Sequence, residues 1–326
     1  MYKIGIIVNP EAGRDIRRLS AFAEYMDSNR KTLLATQFVC ALYTLCRDIE
    51  FYVMPDINYT DEKIRKNLHM FNMPDEKIIK LNIEQKSNEE DTIEASKKLE
   101  DLQVDFVFIC GGDGTNRLVF ETASKLILLP ISTGTNNAFP FRLNPTSMAL
   151  AAYYYLKNNI PPVRCKAIEV NLNGRLFYAL VDVAVLDTNA LGSKAILEIE
   201  NLKELFLTVA CLENIGLSTI GAVHGRIDFY NKVGYHILFN DGKNKVFVPF
   251  APGIIKEASF ESINKIRIDE KIKVNIKDCV LALDGERMLE VKEQTELYIT
   301  LIEKGPLVID APDILKHFKE QNIKRG

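Results

Sequence analysis

The sequence predicts an α/β unit with a parallel sheet over residues 1–160, then a β-rich, sandwich-like unit over residues 161–326 that closes with a helix. Three observations carry this. In the first half, short apolar runs alternate with amphipathic stretches of helical spacing, the order that gives parallel strands joined by right-handed crossovers. From about Lys166 period-two alternation takes over, with Asn, Asp and Gly between the runs, as in antiparallel layers. Three polar, Gly-bearing loops each follow an apolar run of the first half, which puts them at one edge of a parallel sheet.

Taken in order, Lys3–Val8 is a strand that ends in the turn Asn9-Pro10-Glu11-Ala12-Gly13. Asp15–Cys46 is mostly helical, with a break near Ser28-Asn29. Ile49–Met54 and Lys77–Ile83 are strands; Asp61–Asn72 and Asn88–Leu102 are helices, the second opened by Ser87 as cap. Asp105–Cys110 is a buried strand of β-branched and aromatic side chains. Gly111-Gly112-Asp113-Gly114-Thr115 turns from it into a short helix, Asn116–Ser124. Leu126–Ile131 is the next strand and runs into Ser132-Thr133-Gly134-Thr135-Asn136-Asn137. In the second half, strands are expected at 166–172, 175–186, 225–230, 235–240, 245–251, 265–268, 273–283 and 296–302. A helical insertion, Ala195–Leu212, interrupts them, and Pro312–Gln321 is the closing helix.

Composition narrows the function classes. Hydrophobic residues make up 47% and charged residues 26%, as in a globular chain rather than a disordered one. Lys and Arg number 41 against 44 acids, so bulk charge offers nothing to a polyanion and nucleic acid is not an expected partner. The 6 cysteines form no CxxC pair, the pattern of reduced thiols rather than of disulfides or a zinc site. MYKIGIIVNP lacks the apolar core and cleavage site of a secretory signal. Thr32–Cys46, the most apolar later stretch, is too short to span a bilayer. A cytoplasmic protein without a stable membrane anchor is expected.

The three loops are the candidate site. A Gly-rich turn at a strand's carboxyl end lets backbone amides approach an anion closely. Amides of Gly111, Gly112, Gly114 and Thr115, and of the stretch Gly134–Asn137, are placed to cradle phosphates, with Gly13 in the first loop. Thr115, Thr133 and Thr135 add hydroxyls, and Asn9 and Asn136 add amides that donate and accept. Asp113 is either a catalytic carboxylate, serving an acceptor hydroxyl or a metal, or the N-cap of the helix that follows. Asp284-Gly285-Glu286 is either a hairpin turn or a further carboxylate of the site, and a turn can itself carry Glu286 into a cleft. The histidines are dispersed, and no nucleophile elbow, HExxH or metal-ligand cluster is present.

The motifs IIVNPEAG, GGDGTNR and PISTGTNNAFP, with ALDGE at 282–286, resemble the superfamily of NAD kinases and diacylglycerol or sphingosine-type lipid kinases. More narrowly the chain is similar to the acetoin catabolism protein X group, which is NAD-kinase-like. The resemblance implies a Rossmann-like first domain, a β-rich second domain and an active site in the cleft between them. It further implies transfer of the γ-phosphoryl group of ATP, with Mg2+, to a hydroxyl. On it, Asp113 matches the catalytic aspartate of GGDG and Glu286 the acid of the lipid-kinase DGE. NAD kinases carry an Asn-Glu pair at the acceptor; the counterpart here is Val181-Asp182. Asp182 can accept from an adenine amine or ribose hydroxyl, whereas Val181 cannot replace an amide, a loss on the order of 1–3 kcal/mol if uncompensated. STGTNNAF is closer to the lipid-kinase loop. The expected acceptor is NAD or a related soluble dinucleotide, with a lipid hydroxyl, or a non-catalytic nucleotide-binding regulator linked to acetoin catabolism, as alternatives. A homo-oligomer is expected by analogy.

Overall fold

The computed structural model describes residues 1–10, 22, 26–68, 73–134, 137–187, 199–239, 242–275, 278–285, 287–293 and 295–323, the last six by backbone. The first unit comprises β1 (Tyr2–Val8), α1 (Ser28–Leu45), β2 (Ile49–Val53), α2 (Thr60–Leu68), β3 (Ile78–Lys80) and α3 (Glu89–Asp101). It continues with β4 (Phe106–Gly111), α4 (Asp113–Thr122), β5 (Ile127–Ser132) and α5 (Pro145–Lys157), and β6 (Val163–Arg164) follows just past residue 160. The second comprises β7 (Ala167–Leu172), β8 (Arg175–Ala179), β9 (Asp182–Asp187), β10 (Leu202–Leu207), α6 (Ser218–Ala222), β11 (Val233–Leu238), β12 (Asn244–Ala251) and β13 (Ile254–Phe260). Then follow β14 (Ser262–Arg267), β15 (Lys271–Lys273), β16 (Cys279–Leu283), β17 (Arg287–Val291), β18 (Leu297–Ile302), β19 (Leu307–Val308) and α7 (Ala311–Ile323). No described helix is long and apolar enough to cross a membrane.

Strands β1–β5 pair in parallel, as their helical connections require, in a 7-stranded sheet of order β3-β2-β1-β4-β5-β19-β6. Every residue of β4 is buried. Helices cover both faces, so its side chains alternate between two cores and no position is left for a polar residue. On one face Phe108 stacks on Phe38 of α1, ring centroids 3.9 Å apart, and Phe106 meets Tyr155 of α5 edge-on. On the other, Val107 and Ile109 join Ala95 and Leu99 of α3 and Val119 of α4. Each large side chain so buried contributes about 1.5–3 kcal/mol. This packing fixes where β4 ends, and with it the glycine turn.

The sheet draws strands from both sides of residue 160: β6 and β19 extend it and α7 packs on α5. Between those returns lies the antiparallel unit. A 6-stranded sheet, β14-β11-β10-β9-β16-β17, faces a 4-stranded one, β15-β18-β7-β8, and their inner faces share Val170, Phe177, Val183, Phe206, Leu281 and Ile299. The other face of the larger sheet is covered by the β12–β13 hairpin and α6. Asn173 (φ +50°) and Gly174 (φ +83°) make the two-residue turn between β7 and β8, where left-handed backbone matches strand twist.

Four expectations are corrected. The helical insertion Ala195–Leu212 contains a strand instead, β10, paired with β9 and β11; residues 195–198 lie outside the described residues. Its Leu202, Leu205 and Leu207 face one core and Phe206 the other, so the apolar run loses strand alternation and mimics a buried helix. Residues 225–230 form only a bridge, Ala210 to Ile227. Helix α3 is capped by Asn88, whose side chain accepts from the Glu90 N–H, while Ser87 sits at φ +60° before it. Helix α4 starts at Asp113, with Gly112 in the cap position, so Asp113 is not its N-cap. Among the elements not expected are α5, opened by Asn144 and Pro145, and strands β13 and β17.

Where the sandwich meets the first sheet, Lys166 is 3% exposed and its Nζ donates to the carbonyls of Asp228 (2.6 Å) and Asn231 (2.8 Å). Burial pushes its ammonium down from the ordinary 10.5 to about 7. The unfolded chain keeps that proton up to 10.5 and the folded chain releases it above about 7. Stability therefore rises with pH between those limits, by up to about 1.4 kcal/mol per pH unit. Lys166→Met should abolish the rise. Urea midpoints across that window, wild type against variant, measure it, and parallel profiles would sink the assignment.

Candidate functional site

In the order β3-β2-β1-β4-β5 the chain reverses direction between β1 and β4, and the carboxyl ends of those two strands flank the crevice where such sheets bind ligands. Asn9 follows β1 and Thr115 follows β4. Asn9 Nδ2 donates to Thr115 Oγ1 at 2.8 Å, and the Asn9 N–H donates to Cys110 O at 3.1 Å, so the first two loops are joined across the crevice. Beneath Asn9 lies Lys31 of α1, 1% exposed, whose Nζ donates to the carbonyls of Asn9 (3.0 Å) and Pro10 (2.7 Å). A buried ammonium so bonded fixes the turn and leaves positive charge below it.

The second and third loops are joined by Asp113. Its carboxylate accepts the Ala138 N–H through both oxygens, each at 3.1 Å, and the Phe139 N–H at 2.9 Å. As the first residue of α4 it points away from its own helix and holds the chain that follows β5. Asn137 completes the junction: Nδ2 donates to Ser132 Oγ at 3.2 Å. A Cβ on Gly112 would stand 2.8 Å from Asn137 Oδ1, and one on Gly134 2.9 Å from its Nδ2. Both glycines therefore let the loops close on this amide. A Cβ on Gly111 would strike the Thr115 side chain at 2.7 Å. Thr133 is fully buried, and its hydroxyl has no hydrogen-bond partner among the described residues.

Two spaces open on this junction. Asn9, Gly114 and Thr115 line a cavity of about 630 Å³ together with Asn88, Arg117 and Arg287. On the other side Asp113 lines a small pocket of about 30 Å³ with Val181, Asp182, Ser218, Phe250 and Gly285. Asp182 is buried there, at 8% exposure. Asp113 thus borders the pocket that holds Asp182 while Gly114 and Thr115, the next two residues, border the larger cavity. Gly13, Thr135, Asn136 and Glu286 lie outside the described residues. Gly111, Gly112, Thr133, Gly134 and Asn137 support the junction and do not line the larger cavity.

Asp284-Gly285 is a hairpin turn between β16 and β17, with φ of +50° and +69°. Its aspartate carries more than the turn. The buried carboxylate accepts from the N–H groups of Leu180 (3.0 Å), Val181 (2.8 Å) and Asp182 (3.4 Å), and Arg117 Nη1 stands 3.8 Å away. Burial raises its pKa; Arg117 and the three N–H groups oppose that rise. Arg117 Nη1 also donates to Leu283 O at 3.0 Å, so α4 of the first unit is bonded to the hairpin of the second. Residue types and spacing did not single out Lys31, Arg117 or the clamp made by Asp284. Arg117 is the last residue of GGDGTNR, one helical turn past Asp113, and that spacing was the available signal.

Among the described residues no group of three or more His, Cys, Asp and Glu side chains is arranged to hold a metal ion. Asp113 and Asp284 direct their carboxylates at backbone N–H groups. The fit to Mg2+ is therefore that of an ion held chiefly by phosphate oxygens and water, its usual mode, rather than by a protein cage.

In sequence, residues 60–166 match the family profile of the diacylglycerol kinase catalytic domain, and residues 166–304 that of the acetoin catabolism protein X C-terminal domain. The chain is 27% identical to acetoin catabolism protein X of Cupriavidus necator over 338 aligned positions, covering 99% of this chain and 94% of that protein. In structure, an NAD kinase from Archaeoglobus fulgidus in complex with ATP aligns with a TM-score of 0.48 and 15% identity, over 97% of this chain and 96% of that one. A candidate diacylglycerol kinase from Bacillus anthracis aligns with a TM-score of 0.47 and 13% identity, over 94% and 97%. Residues 60–166, which bear the second and third loops, are thus similar to a kinase catalytic domain, and residues 166–304 to the acetoin catabolism protein X C-terminal domain.

Proposed function

We propose that this chain is an ATP-dependent phosphotransferase that moves the γ-phosphoryl group to a hydroxyl of NAD or a related soluble dinucleotide. One observation carries the reading: Asp113 stands at the wall between a glycine cradle on the crevice of a parallel sheet and a pocket containing a second carboxylate, Asp182. Phosphoryl transfer asks for positioning and charge neutralisation more than covalent chemistry, and this layout offers both. Gly114, Thr115 and Asn9, which line the larger cavity, bind the phosphates through backbone amides and side chains, while Gly111, Gly112 and Gly134 let the loops close around it. Mg2+, held by those phosphates, offsets their charge. Asp113 takes the proton of the acceptor hydroxyl, with Glu286 as the second acid, and Asp182 orients an adenine or ribose group.

The smaller pocket has room for about one water, so a dinucleotide reaches Asp182 only if the pocket widens on binding. The working division is into units 1–160 and 161–326, with the returning strand and helix at the end of the chain packed on the first. The resemblance carries with it a cytoplasmic homo-oligomer.

Phosphoryl transfer from ATP-Mg2+ to NAD, followed by a coupled assay specific for NADP, tests the reading. Turnover on NAD is the expected result. The match to the diacylglycerol kinase profile favours a second acceptor class, a lipid hydroxyl. Transfer to diacylglycerol in mixed micelles with none to NAD would replace the first reading by the second. ATP binding without consumption of any acceptor would leave a nucleotide-binding regulator.

A further inference from the structure

We infer that Arg117 is the anion receptor of the larger cavity, the residue that recognises the outer phosphates of a polyphosphate chain and couples them to the second unit. This rests on reading that cavity as the site of the phosphoryl donor. Arg117 is 6% exposed and lines the cavity beside Gly114 and Thr115. Its Nη1 is engaged by Leu283 O, and its Nε is buried without an acceptor among the described residues. The neighbouring Asp284 carboxylate does not supply that acceptor, since it approaches Nη1 at 3.8 Å and is turned to the N–H groups of Leu180 and Val181. A guanidinium is always charged and offers five donors in a fixed fork. A buried N–H without a partner is rare in a native protein and calls for an explanation, and a ligand oxygen in the adjoining cavity, met by a small turn of the guanidinium, is one.

Three of the other four charged groups of the cavity, Asp91, Glu121 and Arg287, are already occupied. Glu121 accepts from Arg287 at 3.0 Å and from the Tyr178 N–H at 3.2 Å, and Asp91 accepts from the N–H groups of Lys86 and Ser87 at 2.7 and 2.8 Å. Glu89 is exposed, at the first turn of α3. Arg117, whose ion pair with Asp284 is long at 3.8 Å, is the cation beside Gly114 and Thr115, and its planar fork suits phosphate oxygens. Because the same side chain holds Leu283 O, an anion on Nε stiffens the contact between α4 and the β16–β17 hairpin. Affinity for the phosphate chain and closure of the junction are thereby linked.

Calorimetric titration of wild type, Arg117→Lys and Arg117→Gln with ATP, AMP and inorganic tripolyphosphate tests the assignment. Arg117→Gln should lose about thirtyfold in affinity for ATP and for tripolyphosphate, about 2 kcal/mol, and change by less than about threefold for AMP. Arg117→Lys, which keeps the charge but not the fork, should fall between. Equal losses for ATP and AMP would mean a purely structural arginine and overturn the inference. A crystal of the wild type with tripolyphosphate gives an answer that does not depend on variant folding: a phosphate oxygen about 2.9 Å from a guanidinium nitrogen of Arg117 is expected. Tripolyphosphate bound elsewhere overturns the inference. Binding at Arg117 without transfer to any acceptor supports it and removes the kinase reading. Transfer with unchanged ATP affinity in Arg117→Gln removes the inference alone.

Discussion

Asp113→Asn should lose phosphoryl transfer and loosen the third loop in one step. The carboxylate accepts the Ala138 N–H through both oxygens and the Phe139 N–H through one. An asparagine keeps an oxygen where Oδ1 accepts both N–H groups, but it loses the charge and turns an NH2 toward the Ala138 N–H in place of Oδ2, so a donor faces a donor. That costs about 1–3 kcal/mol. A missing general base lowers turnover by about 10²–10⁴-fold. The two effects have separate readouts. Urea unfolding should show the lower midpoint whether or not an acceptor has been identified, and turnover, measured well below that midpoint, should show the rate loss. An unchanged midpoint would refute the clamp; wild-type turnover would refute the proton-accepting role. The proportion between them matters, because a residue that both shapes the third loop and borders the acceptor pocket cannot be assigned from rate alone.

The parallel sheet was legible because its strands are continuous apolar runs set between helical stretches, and β4 shows this most fully. The three loops were legible because glycine and aspartate at strand ends have few other uses. Their convergence followed from topology alone, and the bond from Asn9 to Thr115 is its physical form. What the sequence concealed has one common cause: long-range partners. Strand β10 read as a helix because it is covered on both faces, a fact set by β9 and β11 and by two cores rather than by its own residues. Asp113 read as a cap or a catalyst, the local options, and its partners lie 25 and 26 residues away. Lys31 meets Asn9 across 22 positions inside an apolar helix, where a lone lysine gives no periodic signal. Asp284 is the extreme case, with partners more than 100 residues away.

That reach makes Asp284 the site of the largest expected loss of stability. Its side chain is fully buried, accepts three consecutive N–H groups where β8 passes into β9, and stands beside the buried guanidinium of Arg117. Asp284→Ala leaves those donors and that charge uncompensated, and breaking a buried pair in this way costs about 3–5 kcal/mol. Against a total of about 5–15 kcal/mol the variant should unfold at markedly lower urea or not accumulate in folded form. Asp284→Asn keeps one acceptor oxygen and should lose less, which makes it the variant for pH work. Burial raises the carboxyl of Asp284 above its ordinary value of 3.8, so the folded chain holds this proton where the unfolded chain has released it. The contribution of this group to stability is therefore fullest below 3.8 and declines as pH rises through the folded value. Asparagine has no such dependence. The deficit of Asp284→Asn relative to wild type should shrink between about pH 4 and pH 7. A deficit that grows over that range would show that Arg117 and the three N–H groups outweigh burial, and that the junction between the two units is held by a charged pair.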